Sequence, residues 1–250
     1  MINLFSGTPG SGKSLHQSRV VEAWLKLNKP VIANYSIDTS KIKNCKGSFT
    51  EVNLYELNPR YLKEFSIEYF KNHKFKEGTI RLFIDEAQLL FNAREWSKEG
   101  RAEWLEFFTQ HRKYGYDIYL IAQFDRMLDR QIRSLIEYEI IHRKISNFGL
   151  KGKIVSLFAG GGLFVAVKVW YPMKERVDCE FFRYSKHLAS LYNSYQDFSQ
   201  NAPEEKKTAK KNSSPKSEEG TAATVDDIIE FEELVKLFYA ETKQNESYAN

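Results

Sequence analysis

Gly7-Thr8-Pro9-Gly10-Ser11-Gly12-Lys13-Ser14 is the stretch whose reading decides the fold. It spells G-x-x-x-x-G-K-S, the pattern of a phosphate-binding loop. The apolar residues 2–5 before it read as a short buried strand, and residues 15–27 after it read as a helix ended by Pro30. The loop therefore stands between a strand end and a helix start, the context its chemistry needs. Glycines let the backbone curl until successive N–H groups face one anion. The helix N-terminus adds unsatisfied N–H groups and a partial positive charge. On this pattern Gly7, Thr8, Pro9, Gly10, Ser11, Gly12, Lys13, Ser14 and Leu15 form a nucleotide cradle. Lys13 would reach the β- and γ-phosphates, and the Ser14 hydroxyl would ligate Mg²⁺.

A second landmark is Thr79-Ile80-Arg81-Leu82-Phe83-Ile84-Asp85-Glu86, an apolar strand ending in two adjacent carboxylates. Downstream of a phosphate loop this reads as a Walker B element. Asp85 would hold the magnesium ion, through water or through Ser14, across the site from Lys13. Glu86 would polarise the attacking water as a general base. Residues 117–123 form a further apolar strand that ends in Gln123. If that strand lies between the Walker B strand and the loop strand, Gln123 stands where it can sense the γ-phosphate. Asn34, at the exit of a strand over 30–35, reads first as a turn-former.

Around these landmarks the periodicity predicts helices over 15–27, 59–72, 87–91, 101–114 and 125–135, and a strand over 137–144. The helix 101–114 carries Trp104, Leu105, Phe107, Phe108 and His111 at helical spacing, with Gly115 as its stop. Residues 36–50 read as a polar loop. Residues 151–200 read as a β-rich appendix, with strands at 154–158, 163–170 and 180–184 and Gly160-Gly161-Gly162 as a hairpin turn. No charge falls between Ile154 and Val167, but that run is shorter than the about 20 residues a spanning helix needs. Residues 201–223 have linker composition and are expected to be disordered. Residues 224–250 read as an acidic amphipathic helix with Ile228, Phe231, Leu234, Val235 and Phe238 on one side.

The expected fold is α/β: a P-loop NTPase core over 1–150, with a mainly parallel central sheet flanked by helices, plus the small β-rich appendix. A chain of 250 residues with 42% hydrophobic content supports one substantial core. Its two cysteines, Cys45 and Cys179, lie far apart, which argues against a disulfide framework or zinc site and fits a reducing cytosol. No leader is expected, since the loop strand begins at residue 2. The net charge of +4 divides into −5 over residues 225–250 and +9 before them. A mildly basic body of this kind suits nucleic acid or an anionic membrane face.

Several stretches together resemble the zonula occludens toxin (Zot) N-terminal domain family, the ATPases of filamentous phage assembly. They are the Gly7–Ser14 loop, Phe83-Ile84-Asp85-Glu86-Ala87-Gln88 with Phe91 and Arg94, His111-Arg112-Lys113-Tyr114-Gly115-Tyr116-Asp117-Ile118, Ala122-Gln123, Ile132-Arg133 and Phe181-Phe182-Arg183-Tyr184. The resemblance spans about residues 1–200 and implies ATP hydrolysis with Mg²⁺. It also implies work during virion export at the cytoplasmic side of the host membrane, beside phage or host assembly proteins. Family members with a periplasmic part carry a spanning helix after the ATPase domain, and none is evident in this sequence. The reading is a homo-oligomeric, ring-forming motor in the host bacterial cytoplasm, in peripheral contact with the membrane. Lys13 and Glu86 would act in catalysis, Gln123 as γ-phosphate sensor, and an arginine from a neighbour would complete each site. Arg112 is one candidate, beside Arg94, Arg126, Arg130 and Arg133, and residues alone do not rank them. Two other readings stay open on residues alone: a DNA-translocating ATPase of packaging or conjugation, and a nucleotide-dependent scaffold that hydrolyses weakly.

Overall fold

β1 (Ile2–Ser6) is buried along its whole length and forms the axis of one mixed sheet. The computed structural model describes residues 1–92, 100–158 and 162–192. The loop helix α1 (Lys13–Lys26) follows β1, and then come β2 (Val31–Ala33), β3 (Phe49–Glu51), α2 (Pro59–Lys71), β4 (Ile80–Ile84) and α3 (Arg101–Gln110). After them run β5 (Tyr116–Ile121), α4 (Arg130–Arg133), β6 (Tyr138–Lys144), α5 (Gly149–Phe158), β7 (Leu163–Trp170), β8 (Glu175–Arg183) and α6 (Lys186–Leu191). The sheet order is β3-β2-β4-β5-β1-β6-β7-β8. The pairings from β3 to β6 are parallel, and those of β6 with β7 and β7 with β8 are antiparallel.

Parallel strands in the middle of a two-sided sheet read as continuous apolar runs, because both faces are covered. Leu4, Leu82, Ile118 and Leu120 face one fully buried cluster with Phe91, Phe107 and Phe108. Phe5, Phe83 and Ile121 face the other with Val21 and Leu25 of α1. Each such side chain contributes roughly 1.5–3 kcal/mol by leaving water. Helix α2 begins where Asn58 accepts from the Tyr61 N–H at 2.9 Å with Pro59 behind it, and packs Leu62 and Ser66 inward. Helix α3 runs into a 3₁₀ turn, His111–Tyr114, that Gly115 ends at φ 71°.

Four expectations are corrected. Residues 154–158 are not a strand but the end of α5, which buries Ser156 and packs Val155 against the cluster of Ile145, Leu163, Val165, Val167 and Val169. A five-residue apolar run cannot by itself separate the two periods. The hairpin turn of β7 and β8 is therefore not the glycine triplet, whose residues 160 and 161 lie outside the described residues. It is the stretch 171–174, with Lys174 at φ 56° and its ammonium over the Tyr171 ring at 3.6 Å. The polar loop 36–50 ends inside β3, which pairs parallel with β2 at the sheet edge. The helix expected over 125–135 is broken into a 3₁₀ turn, Asp125–Met127, and the single turn α4, because the Asp129 carboxylate caps α4 through the Gln131 N–H at 2.8 Å. β7 and β8, within the expected β-rich appendix, add antiparallel to the β6 edge of the central sheet. Among the described residues no helix is long and apolar enough to cross a membrane. The linker 201–223, the tail 224–250 and Arg94 lie outside the described residues.

Candidate active site

The sheet order brings the two landmarks together. β5 lies between β1 and β4, with Phe5 level with Ile121 and Ile84 level with Leu120. Parallel neighbours are about 4.8 Å apart, so the ends of β1 and β4 open on the same edge about two spacings from each other. The loop leaves that edge from β1, and Asp85 and Glu86 leave it from β4.

Two glycines are there because nothing else fits. Gly7 has φ 138°, and a Cβ on it would lie 2.4 Å from the His142 carbonyl oxygen. Gly12 has φ 97°, and a Cβ would lie 2.7 Å from the Phe164 ring. Beneath the loop His142 donates from Nδ1 to the Ser6 carbonyl at 3.1 Å. Its Nε2 is left to accept from His16 Nδ1 at 2.8 Å. Burial pushes His142 down to about 4 and His16 down to about 3, so both rings are neutral near pH 7. The Ser6 hydroxyl donates to the buried Glu139 at 2.7 Å, and Lys174 meets the other oxygen of that carboxylate at 3.1 Å. The loop thus rests on a floor of buried, hydrogen-bonded polar groups.

Above this floor the loop is open to a ligand. Helix α1 starts at Gly12 with no side-chain cap and no acidic residue in its first turn, so its first N–H groups are available to an anion. The Ser11 hydroxyl is buried without a hydrogen-bond partner. Lys13 donates to the carbonyls of Gly7 at 2.6 Å and Thr8 at 3.2 Å, folded back over the loop where a phosphate would sit. Burial lowers its pKa, while Asp85 and Glu86 act in the opposite direction and help keep it charged. The orphaned hydroxyl, the uncapped helix start and the half-buried ammonium fit a polyphosphate. Ser14, exposed, and Asp85 supply hard oxygen donors of the kind Mg²⁺ takes.

Asp85 is held from several sides. Burial raises its carboxyl pKa, and hydrogen bonds from Tyr192 and from the Glu86 N–H oppose that shift. The Glu86 N–H reaches Oδ1 at 2.9 Å and the Tyr192 hydroxyl reaches Oδ2 at 2.6 Å. Asn34, at the end of β2, donates to the Asp85 carbonyl at 2.9 Å and accepts from the Asp85 N–H at 2.6 Å. Asn34 is thus a clamp on the Walker B exit rather than only a turn residue. Glu86 sits in the left-handed region at φ 49° and makes no side-chain cap, so the acid pair is not a helix cap. Gln88 donates to the Glu86 carboxylate. Gln123 lies at the tip of β5, and its carbonyl accepts from the Gly7 N–H at 3.0 Å.

The arginines separate. Arg112 precedes β5 and pairs with Glu137 at 2.7 Å, at the strand end opposite the loop. There it lines a cavity of about 470 Å³ with Met1 and Asp117. A six-residue strand spans about 20 Å, so Arg112 does not reach the loop of its own chain, and the expected role for it is the one it was given, an arginine offered to a neighbouring copy. Arg126 lies three residues past Gln123 on the loop edge, exposed, with its guanidinium 5.1 Å from the Phe124 ring centre. His16, His142, Asn34 and Tyr192 were missed by sequence reasoning as site-building residues. Only Asn34 carried a signal, its place at a strand exit.

A family model described as "Zonular occludens toxin (Zot)" matches residues 1–197. The chain belongs to the Zot family. Relatives of this Zot-family chain include the gene 1 protein of Enterobacteria phage I2-2, 33% identical over 35% of this chain and 24% of that protein. The gene 1 protein of Enterobacteria phage M13 is 30% identical over 48% of this chain and 37% of that protein. The matches therefore span well under half the length of these relatives. Among solved structures, one ATPase domain superposes with a TM-score of 0.50 at 9% identity, covering 77% of this chain and 84% of that one. That likeness bears on the fold alone and agrees with the P-loop NTPase architecture described above.

Proposed function

We propose that this chain is an ATP-hydrolysing motor subunit that drives filamentous phage assembly and export at the cytoplasmic face of the host membrane. The observation that carries it is the convergence of Lys13 with Asp85 and Glu86 across one intervening strand. Membership in the Zot family and similarity to phage gene 1 proteins support the setting. The loop N–H groups hold the β- and γ-phosphates, and Lys13 turns from the Gly7 and Thr8 carbonyls to meet them. Magnesium, when bound, neutralises charge on the same phosphates, and Ser14 and Asp85 are the residues that would hold it. Glu86 orients the attacking water and takes its proton. Gln123 reports the γ-phosphate through the β5 tip. A neighbouring copy in a homo-oligomeric ring supplies an arginine, and Arg126, exposed on the loop edge, is one candidate beside Arg112, Arg130 and Arg133. The body's net +9 suits an anionic partner, whether the membrane face or nucleic acid. The division into core, appendix, linker and acidic tail belongs to the same proposal.

The test is Glu86→Gln in the full chain. ATP binding should stay within a few-fold of the parent while turnover falls by about 10²–10⁴. A parent chain indifferent to ATP, or a variant that turns over within twofold of it, overturns the reading.

A further inference from the structure

Tyr192 belongs to no nucleotide-site motif and lies 107 residues from Asp85, yet its hydroxyl donates to Asp85 Oδ2 at 2.6 Å. The other oxygen of that carboxylate is taken by the Glu86 N–H. A carboxylate has about four acceptor positions, so these two bonds fix the plane of the group and leave a lone pair on each oxygen free. The segment that delivers the phenol is built, not draped. His187 meets Glu22 of α1 at 2.9 Å, and the Lys41 ammonium reaches the Ser190 carbonyl at 3.0 Å. The Asp38 N–H donates to the Leu191 carbonyl at 3.0 Å, Leu191 is buried, and Tyr192 forms a bridge with Ile37. Its anchors are thus the loop helix and the chain just beyond Asn34, the two elements that flank the site.

We propose that Tyr192 is a positioning residue of the metal site, whose hydroxyl sets the Asp85 carboxylate in the orientation that receives a divalent cation. Residues 185–192 are then a working part of the nucleotide site and not a tail behind it. The inference rests on the Mg·ATP reading of the site. Groups that orient metal ligands typically change metal affinity by 10–100-fold when removed. The phosphate contacts of the loop do not involve Tyr192, so nucleotide affinity without metal should not depend on it.

The experiment compares parent, Tyr192→Phe and Tyr35→Phe as full chains. Tyr35 is a second buried phenol, its ring centre 5.1 Å from that of Tyr192, and its hydroxyl faces Gln17 rather than bonding to the Asp85 carboxylate. Binding of a fluorescent ATP analogue is measured in chelator and then across a Mg²⁺ titration. Tyr192→Phe should keep the metal-free affinity within twofold and raise the Mg²⁺ half-saturation about tenfold or more, with Tyr35→Phe unchanged in both. An unchanged half-saturation overturns the proposal. So does a lower one, which would make the hydroxyl a competitor of the cation. Equal losses with and without metal, accompanied by a lower melting temperature, would make the role structural only and also overturn it. A parent that binds no nucleotide removes the functional reading and this inference together, whereas a parent that binds Mg·ATP beside an indifferent Tyr192→Phe removes this inference alone.

Discussion

Replacing Asn34 by alanine tests how the Walker B exit is held. The regular pairing of β2 with β4 stops at Ala33 and Phe83. One residue further along β2, and two along β4, the Asn34 carboxamide takes over, donating to the Asp85 carbonyl at 2.9 Å and accepting from the Asp85 N–H at 2.6 Å. Asn34 is only 6% exposed, so water does not readily replace it. Asn34→Ala leaves a buried backbone donor and a buried acceptor without partners, each costing about 1–3 kcal/mol. Partial access of water to the vacated space trims the sum to about 2–5 kcal/mol. For a domain of this size 1 kcal/mol moves the melting temperature by about 2–4 °C, so a fall of about 4–20 °C is expected. Urea unfolding with matched m-values gives the free energy directly. Asn34→Asp sharpens the test: it keeps the acceptor for the Asp85 N–H but sets an anion against the Asp85 carbonyl, and should be no more stable than Asn34→Ala. A loss below about 0.5 kcal/mol for Asn34→Ala, or parent-like stability for Asn34→Asp, would refute the clamp.

Gly12→Ala should cost about 2–5 kcal/mol, about 1–2 from its left-handed backbone and about 1–3 from overlap with the Phe164 ring. It should also weaken ATP binding, and thermal melts with and without ATP check both effects. The His16–His142 pair predicts that stability falls on acidification. Both folded pKa values, about 3 and about 4, lie below the ordinary 6.5, so the unfolded chain binds more protons across that window. The pair's contribution is complete above about pH 6.5 and is lost as pH falls towards about 4 for His142 and about 3 for His16, at up to about 1.4 kcal/mol per pH unit for each proton taken up. Asp85, raised by burial, acts with the opposite sign at the acid end. Urea midpoints at pH 7.5, 6 and 5 should fall in that order for the parent and less steeply for His142→Gln. Equal midpoints for the parent would contradict the buried neutral pair.

The phosphate loop, the helix after it and the Walker B strand were legible because their signals are local. A strand, a turn of glycines and a helix start within 26 residues of the N-terminus are each encoded by neighbours in the chain. The long aromatic helix ending at Gly115 was legible for the same reason, since its period and its stop are both on the page of sequence. The region after residue 144 was less so. An apolar run ending in three glycines suits a hairpin as well as the end of a helix. In the fold Val155 packs against a cluster built mostly from β7 residues, which a reading of 154–158 alone does not contain.

What the chain's own order of residues determined is which groups could meet a triphosphate: Lys13, Ser14, Asp85 and Glu86 are marked by spacing, and spacing is a property of the chain. Which groups hold those four in place was decided only by folding. The sheet order puts β5 between their strands, turns Arg112 to the far edge, and brings Asn34 and Tyr192 onto Asp85 from 51 and 107 residues away. Such contacts follow from strand pairing and from the burial of a carboxylate that must find hydrogen-bond partners wherever the fold supplies them, and neither leaves a periodic trace along the chain.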